Sequence, residues 1–234
     1  MPMEKRTENI LNAVIESFIK NGAPVSSGSL YEKYDFGIRP AMIRHELENL
    51  TETGYLEQPY HSAGRIPSDN AYEFFVSKIL SDETEAAIDN EFQRCLRDQD
   101  WFNFVDLFSS HLNLLSAIEP EVEERVYKTG LETLIDNLSW DSQKEIKGII
   151  RDFEELDKKI ERFNSKMIPE DSIQVFIGKK SPFTASEELS VVAKNCHVDG
   201  RNLLLLAIGP KRMNYKKVVK TFKSIKETNG RKRK

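Results

Sequence analysis

Cysteine is scarce in this chain: two residues in 234, Cys95 and Cys196, far apart and without companion ligands. That argues against a disulfide framework or a zinc site and fits a reducing compartment. No apolar run approaches the roughly 20 residues a membrane helix needs. The first ten residues, MPMEKRTENI, are polar where a secretory signal needs an apolar core. Cytoplasm is the expected location, with no membrane partner. Histidine is sparse too: His45, His61, His111 and His197 are dispersed, with no pair at metal-ligand spacing. Phosphate-binding glycine loops, nucleophile elbows and cysteine-histidine arrangements are missing. No catalytic residue, metal or cofactor is expected, and the chain does not read as an enzyme.

What the chain does have is charge, unevenly placed. Its formal net charge is -4, yet residues 1–80 carry -3 and residues 206–234 carry +10, which leaves -11 on the stretch between them. Contact with nucleic acid would therefore rest on local basic patches and not on the average.

The N-terminal third supplies one. Residues 4–21 place Ile10, Leu11, Val14, Ile15 and Phe18 at helical spacing, closed by Asn21-Gly22. Ser26 or Ser27 caps a short second helix to about Tyr34, and Gly37 marks a tight turn. A third helix follows from Pro40 to about Thr53; it is expected to bury Ala41, Ile43, Leu47 and Leu50, and to face solvent with Arg39, Met42, Arg44, His45 and Glu48. Pro40 suits the first helical turn. Arg39 is a poor cap but sits where a recognition helix meets base edges. Two helices joined by a glycine turn make a helix-turn-helix. Residues 55–58 then alternate as a strand, and residues 60–65 form a loop with Arg65 at its tip and His61 beside it. That is a wing, placed to reach phosphates or the minor groove. Ser68 caps a fourth helix, residues 69–80.

Three runs here carry a family resemblance: Ala41-Met42-Ile43-Arg44-His45-Glu46, Gly54-Tyr55-Leu56 and Ser62-Ala63-Gly64-Arg65-Ile66-Pro67. They resemble the DNA-binding domain of the heat-inducible transcription repressor HrcA family, whose pattern is Ala-Thr-Ile-Arg-Asn-Glu, Gly-Tyr-Leu and Ser-Ala-Gly-Arg-Ile-Pro. Met42 and His45 replace the usual Thr and Asn, and Arg39-Pro40 replaces a usual Ser pair. These departures fall on the side that would face DNA.

Farther along, residues 80–99 read as a charged helix with Ile88, Phe92 and Leu96 on one face, and residues 101–115 as a strongly apolar core helix. Pro120 is expected to open another helix reaching about Leu138. A long helix over residues 141–167 repeats Ile146, Ile149, Phe153, Leu156, Ile160 and Phe163 in heptad steps, which fits either a coiled coil or packing on its own domain. Then the period changes. Residues 173–177, 189–198 and 201–208 read as three strands, the last two joined at Asp199-Gly200 and the third apolar enough to be covered on both faces. A helix over residues 215–225 lays Val218, Val219, Phe222 and Ile225 on the sheet. Residues 227–234 form a basic tail with too little apolar content to fold. The turn Gly209-Pro210-Lys211-Arg212-Met213-Asn214-Tyr215 is similar to the Gly-Pro-Thr-Arg-Met-Asp-Tyr turn of the same family.

The expected fold is mainly α with α+β. A winged helix-turn-helix over residues 1–80 precedes an effector and dimerisation domain over residues 81–226, which the resemblance makes a helical, three-stranded, GAF-like remnant. The resemblance implies a repressor that binds an inverted-repeat operator before chaperone genes as a homodimer, releases it on heat stress, and depends on a GroEL-type chaperonin. Arg39, Met42, Arg44 and His45 would enter the groove of double-stranded DNA, and His61, Ser62, Gly64 and Arg65 would contact it from the wing. The alternative is a winged-helix regulator responding to a small molecule held by the C-terminal sheet, although strands 173–208 show no polar cluster that suggests a pocket.

Overall fold

A computed structural model of the chain describes residues 3–82, 90–123, 125–137, 143–163, 165–198 and 200–225. They fall into two compact units, Met1–Ser81 and Asp82–Lys234.

In the first unit, helix α1 (Lys5–Asn21) withdraws Ile10, Leu11, Val14 and Ile15 from water and stops at Gly22, whose left-handed φ of 66° lets its N–H return to the Phe18 carbonyl. Helix α2 (Ser27–Lys33) begins with a reciprocal cap: Ser26 Oγ accepts the Ser29 N–H, and Ser29 Oγ accepts the Ser26 N–H. The Asp35 carboxylate accepts the Gly37 N–H at 2.9 Å, and Gly37 takes φ 67°, turning the chain into helix α3 (Pro40–Glu52). Ile43, Leu47 and Leu50 are buried. Ala41, expected in the core, is exposed, and Glu46 is buried instead. A carboxylate tolerates that position because Thr7 Oγ1 donates to it at 2.9 Å and Arg6 Nη2 at 3.3 Å. Strands β1 (Leu56–Glu57) and β2 (Ile66–Pro67) pair antiparallel. Helix α4 (Asp69–Ser81) packs against α1. Ser68 fixes its start, accepting the Ala71 N–H while its hydroxyl lies 2.7 Å from the Gly54 carbonyl.

The second unit runs through α5 (Asn90–Asp98), α6 (Trp101–Leu112), β3 (Leu115–Pro120), β4 (Tyr127–Thr129), α7 (Leu131–Asp136), α8 (Gln143–Arg162), β5 (Ile173–Ile177), β6 (Leu189–Val198), β7 (Arg201–Pro210) and α9 (Tyr215–Ser224). Its sheet is antiparallel, in the order β4-β3-β7-β6-β5. The expectation of three strands is thus corrected to five among the described residues. The helix expected from Pro120 is also corrected: Pro120 closes β3, β4 follows, and among the described residues of that stretch the helix is confined to Leu131–Asp136. Asn113, in the left-handed region at φ 58°, ends α6 and releases the chain into β3. Strand β3 escaped notice because residues 115–118 are all buried and show no polar alternation, and β4 is only three residues long.

The sheet is covered on both faces. Leu204, Leu206 and Ile208 of β7 meet Ile149, Leu156 and Ile160 of α8, while Leu205 and Ala207 point the other way. The α8 heptad positions therefore pack on their own domain and not on a second helix. On the opposite face, Tyr215 Oη at the start of α9 lies 2.9 Å from Ser190 Oγ of β6 and donates to the Lys211 carbonyl. Lys194, 3% exposed, lies 3.3 Å from Asp171 and donates to the Phe222 and Ile225 carbonyls at the end of α9, so its buried charge is compensated. Pairing of β6 with β7 continues to Val198 opposite Arg201, with Gly200 at φ 82° in the turn. Both cysteines are buried and free; burial pushes the Cys196 thiol up to about 12. Ile88, Asp199 and the tail 227–234 lie outside the described residues.

Candidate nucleic-acid interface

One face of the first unit carries a groove of about 440 Å³. One wall is α3, through Arg44, Leu47 and Glu48. The other is the loop between β1 and β2, through Gln58, His61, Ser62, Ala63, Gly64 and Arg65. Val25, Ser26 and Ser27 close its end at the start of α2. Two main-chain bonds hold these parts together: Val25 N donates to the Arg65 carbonyl at 2.9 Å, and Arg65 N to the Val25 carbonyl at 2.8 Å. The loop is shaped from inside as well. Gln58 Nε2 donates to the His61 carbonyl at 2.7 Å and to the Ala63 carbonyl at 3.2 Å.

Arg44, His61, Ser62, Gly64 and Arg65 are thus brought to one groove. Arg39, Met42 and His45 do not line it; they lie on the exposed surface of α3, where Arg39 occupies the capping position without a side-chain cap bond. The expected position of Arg65 at the loop tip is corrected: Tyr60, His61 and Ser62 are exposed, whereas Arg65 is half-buried at the base. Its Nε donates to Thr51 Oγ1 at 2.9 Å, pinning the loop to the C-terminal half of α3. Gln58, Ser26, Ser27 and Glu48 were missed as groove residues. The serines carried a capping signal that hid their second position, and only the Val25–Arg65 pairing, which no local pattern announces, places them beside the loop.

Electrostatically the groove is mixed. Arg44, with 76% of its side chain exposed, projects its guanidinium into solvent with Nε 3.4 Å from Glu48 Oε1. Backbone amides, serine hydroxyls, one arginine fork and an imidazole make a surface able to donate hydrogen bonds to phosphate oxygens and base edges. Among the described residues, no group of three or more His, Cys, Asp or Glu is arranged to hold a metal ion. No described helix is long and apolar enough to cross a membrane.

The second unit has a cavity of about 390 Å³ between sheet and α8, where Glu119, Glu121, Glu161, Asn195 and Asn202 stand over Ile160, Phe163, Leu203 and Leu204. Polar groups thus converge at a sheet whose strands 173–208 showed no polar cluster in the sequence, which corrects that expectation. Burial, and then the charges of Glu161 and Glu121, push the Glu119 carboxyl above the usual glutamate range. A carboxyl raised in the fold stabilises the folded state while protonated, so its contribution is fully present below the ordinary glutamate range and is lost as pH rises through the raised value. Glu119→Gln should therefore raise the melting temperature at neutral pH, and the gain should vanish below about pH 4. Thermal melts across that range check this; a gain of equal size at both ends would reject the assignment.

The comparisons with known proteins bear on both units. A family model described as the HrcA protein C-terminal domain matches residues 70–219, more than half of the chain. The chain belongs to the HrcA family. A protein of Symbiobacterium thermophilum named heat-inducible transcription repressor HrcA is 35% identical over 134 residues, 54% of this chain and 39% of that protein. A Thermoanaerobacter protein of the same name is 49% identical over 80 residues, 34% of this chain and 23% of that one. The aligned stretches thus span well under half the length of these HrcA relatives. A crystal structure described only as a hypothetical protein covers 94% of each chain with a TM-score of 0.72 at 17% identity, a likeness of fold alone.

Proposed function

We propose that this HrcA-family chain is a DNA-binding transcription repressor of heat-shock genes, acting from the cytoplasm as a homodimer on an inverted-repeat operator and releasing it on heat stress. In this reading α2, α3 and the β1–β2 loop form a winged helix-turn-helix, and the second unit is a GAF-like effector and dimerisation domain served by a GroEL-type chaperonin. The observation that carries it is the groove that gathers Arg44, His61, Ser62, Gly64 and Arg65 beside the exposed face of α3. The names of the two curated relatives point the same way. A symmetry argument supports a dimer on a palindrome, because one such module reads too few base pairs for genomic specificity. Arg39, Met42 and His45 then meet base edges from the exposed side of α3, while the loop holds the backbone.

Arg44→Ala is the direct test. Loss of a bidentate contact to a guanine edge costs about 1–3 kcal/mol, roughly ten- to a hundredfold in affinity. Fluorescence anisotropy should show that loss on a duplex selected by the protein from a random pool, and less on a scrambled duplex. Equal weakening on both would make Arg44 a phosphate contact; no weakening would remove it from the interface.

A further inference from the structure

A carboxylate is an unexpected lining for a groove that receives a polyanion, and Glu48 is one. It stands one helical turn after Arg44 on α3, with 47% of its side chain exposed, and Arg44 is its charged partner among the described residues. An ion pair this exposed contributes little to folding, so stability does not account for it. Its geometry suggests another use. The ion pair reaches Arg44 at Nε, 3.4 Å from Glu48 Oε1, and the other edge of the guanidinium, its two terminal nitrogens, is the parallel pair of donors that matches the O6 and N7 acceptors of guanine. The carboxylate itself repels phosphate and the acceptor-only edges of bases, and accepts from the exocyclic amine of cytosine.

We propose that Glu48 is a specificity-determining residue: it orients Arg44 for base reading and disfavours registers that bring phosphate or the wrong base edge into the groove. Binding strength is lowered on every duplex, but most on the wrong ones, which is how a repulsive group creates discrimination. Glu48 therefore acts through Arg44 and against incorrect partners. The proposal rests on the DNA-binding reading above, and its test separates the two.

The test uses the full chain, Glu48→Gln, Arg44→Ala and the double variant, titrated by anisotropy at one salt concentration against the selected and scrambled duplexes. Glu48→Gln keeps the side chain's size at an exposed site, so circular dichroism and melting temperature should match the parent. It should bind the scrambled duplex about three- to tenfold more tightly, with a smaller change on the selected one, so that the discrimination ratio falls severalfold. In the Arg44→Ala background that fall should largely disappear. An unchanged ratio in a parent protein that does discriminate overturns the role of Glu48 and leaves the DNA-binding reading standing. An undiminished effect without Arg44 overturns the positioning role. A parent that selects no sequence and binds neither duplex removes both.

Discussion

Asp152→Ala should cost the second unit about 3–5 kcal/mol, the loss expected when one partner of a buried charge network is removed. Asp152 is 5% exposed on the sheet-facing side of α8. Its Oδ1 accepts the Ala185 N–H at 2.7 Å and lies 2.7 Å from Lys159 Nζ; its Oδ2 accepts the Ser186 N–H at 3.0 Å. Alanine would strand two main-chain donors of the loop before β6 and leave a largely buried ammonium without its nearest counter-charge. The loop would lose its tie to α8, and Phe183, which it places in the core, would lose its anchor. Asp152→Asn keeps the shape and one acceptor and should lose less. The sequence of Met1–Ser81 holds no tryptophan and Trp101 is buried in the second unit, so urea unfolding followed by tryptophan fluorescence reports on that unit. A loss below about 1 kcal/mol would mean that the network is no stronger than an ordinary surface pair.

Gly64→Ala should be nearly as damaging, for a steric reason. A Cβ at residue 64 would meet the Val25 carbonyl oxygen at 2.5 Å, its carbon at 2.6 Å and the Val25 nitrogen at 2.8 Å. All three are main-chain atoms, so no rotamer change relieves the clash. The loop must withdraw, and the two Val25–Arg65 bonds break with it. Overpacking of this kind, together with lost hydrogen bonds, amounts to about 3 kcal/mol. In the DNA-binding reading proposed above, the functional effect follows from the same displacement: with the loop off α3 the groove opens, and affinity for a selected duplex should fall to the level of a scrambled one. Gly148→Ala on α8, where a Cβ meets nothing within 4 Å, is the control. Retained selectivity in Gly64→Ala at unchanged melting temperature would show that the backbone can absorb the methyl group.

The helices of the first unit were legible because each boundary has a local chemical cause. Gly22 and Gly37 supply left-handed backbone, Ser26 and Ser68 supply caps, and Pro40 sits where its missing N–H is harmless. Glu46 was not legible, since nothing near residue 46 reveals the donors that Thr7 and Arg6 bring from α1. Arg65 shows the same limit: its place in the sequence suggests a loop tip, but its side chain is drawn back by Thr51 and its backbone by Val25. In the second unit, β6 and β7 were plain from their length, whereas β3 was hidden in the run that follows α6. Its partner is β7, far along the chain, and only that pairing makes residues 115–120 a strand. The polar groups of the β3–β7 cavity were invisible for the same reason, because Glu119 and Asn202 become neighbours only through the sheet.

The placement of β7 between β3 and β6 has a consequence in time. Leu115 pairs with Ile208 and Pro120 with Leu203, so β3 has no inner neighbour until residues 203–208 have been made. A ribosome adding about 5–20 residues each second leaves that strand waiting for several seconds, its apolar sides uncovered and one edge open. Pairings this distant form slowly, and sticky half-sheets collide with one another in the meantime. The yield of finished protein should therefore rise with anything that shelters the unfinished sheet until the β6–β7 hairpin closes over it.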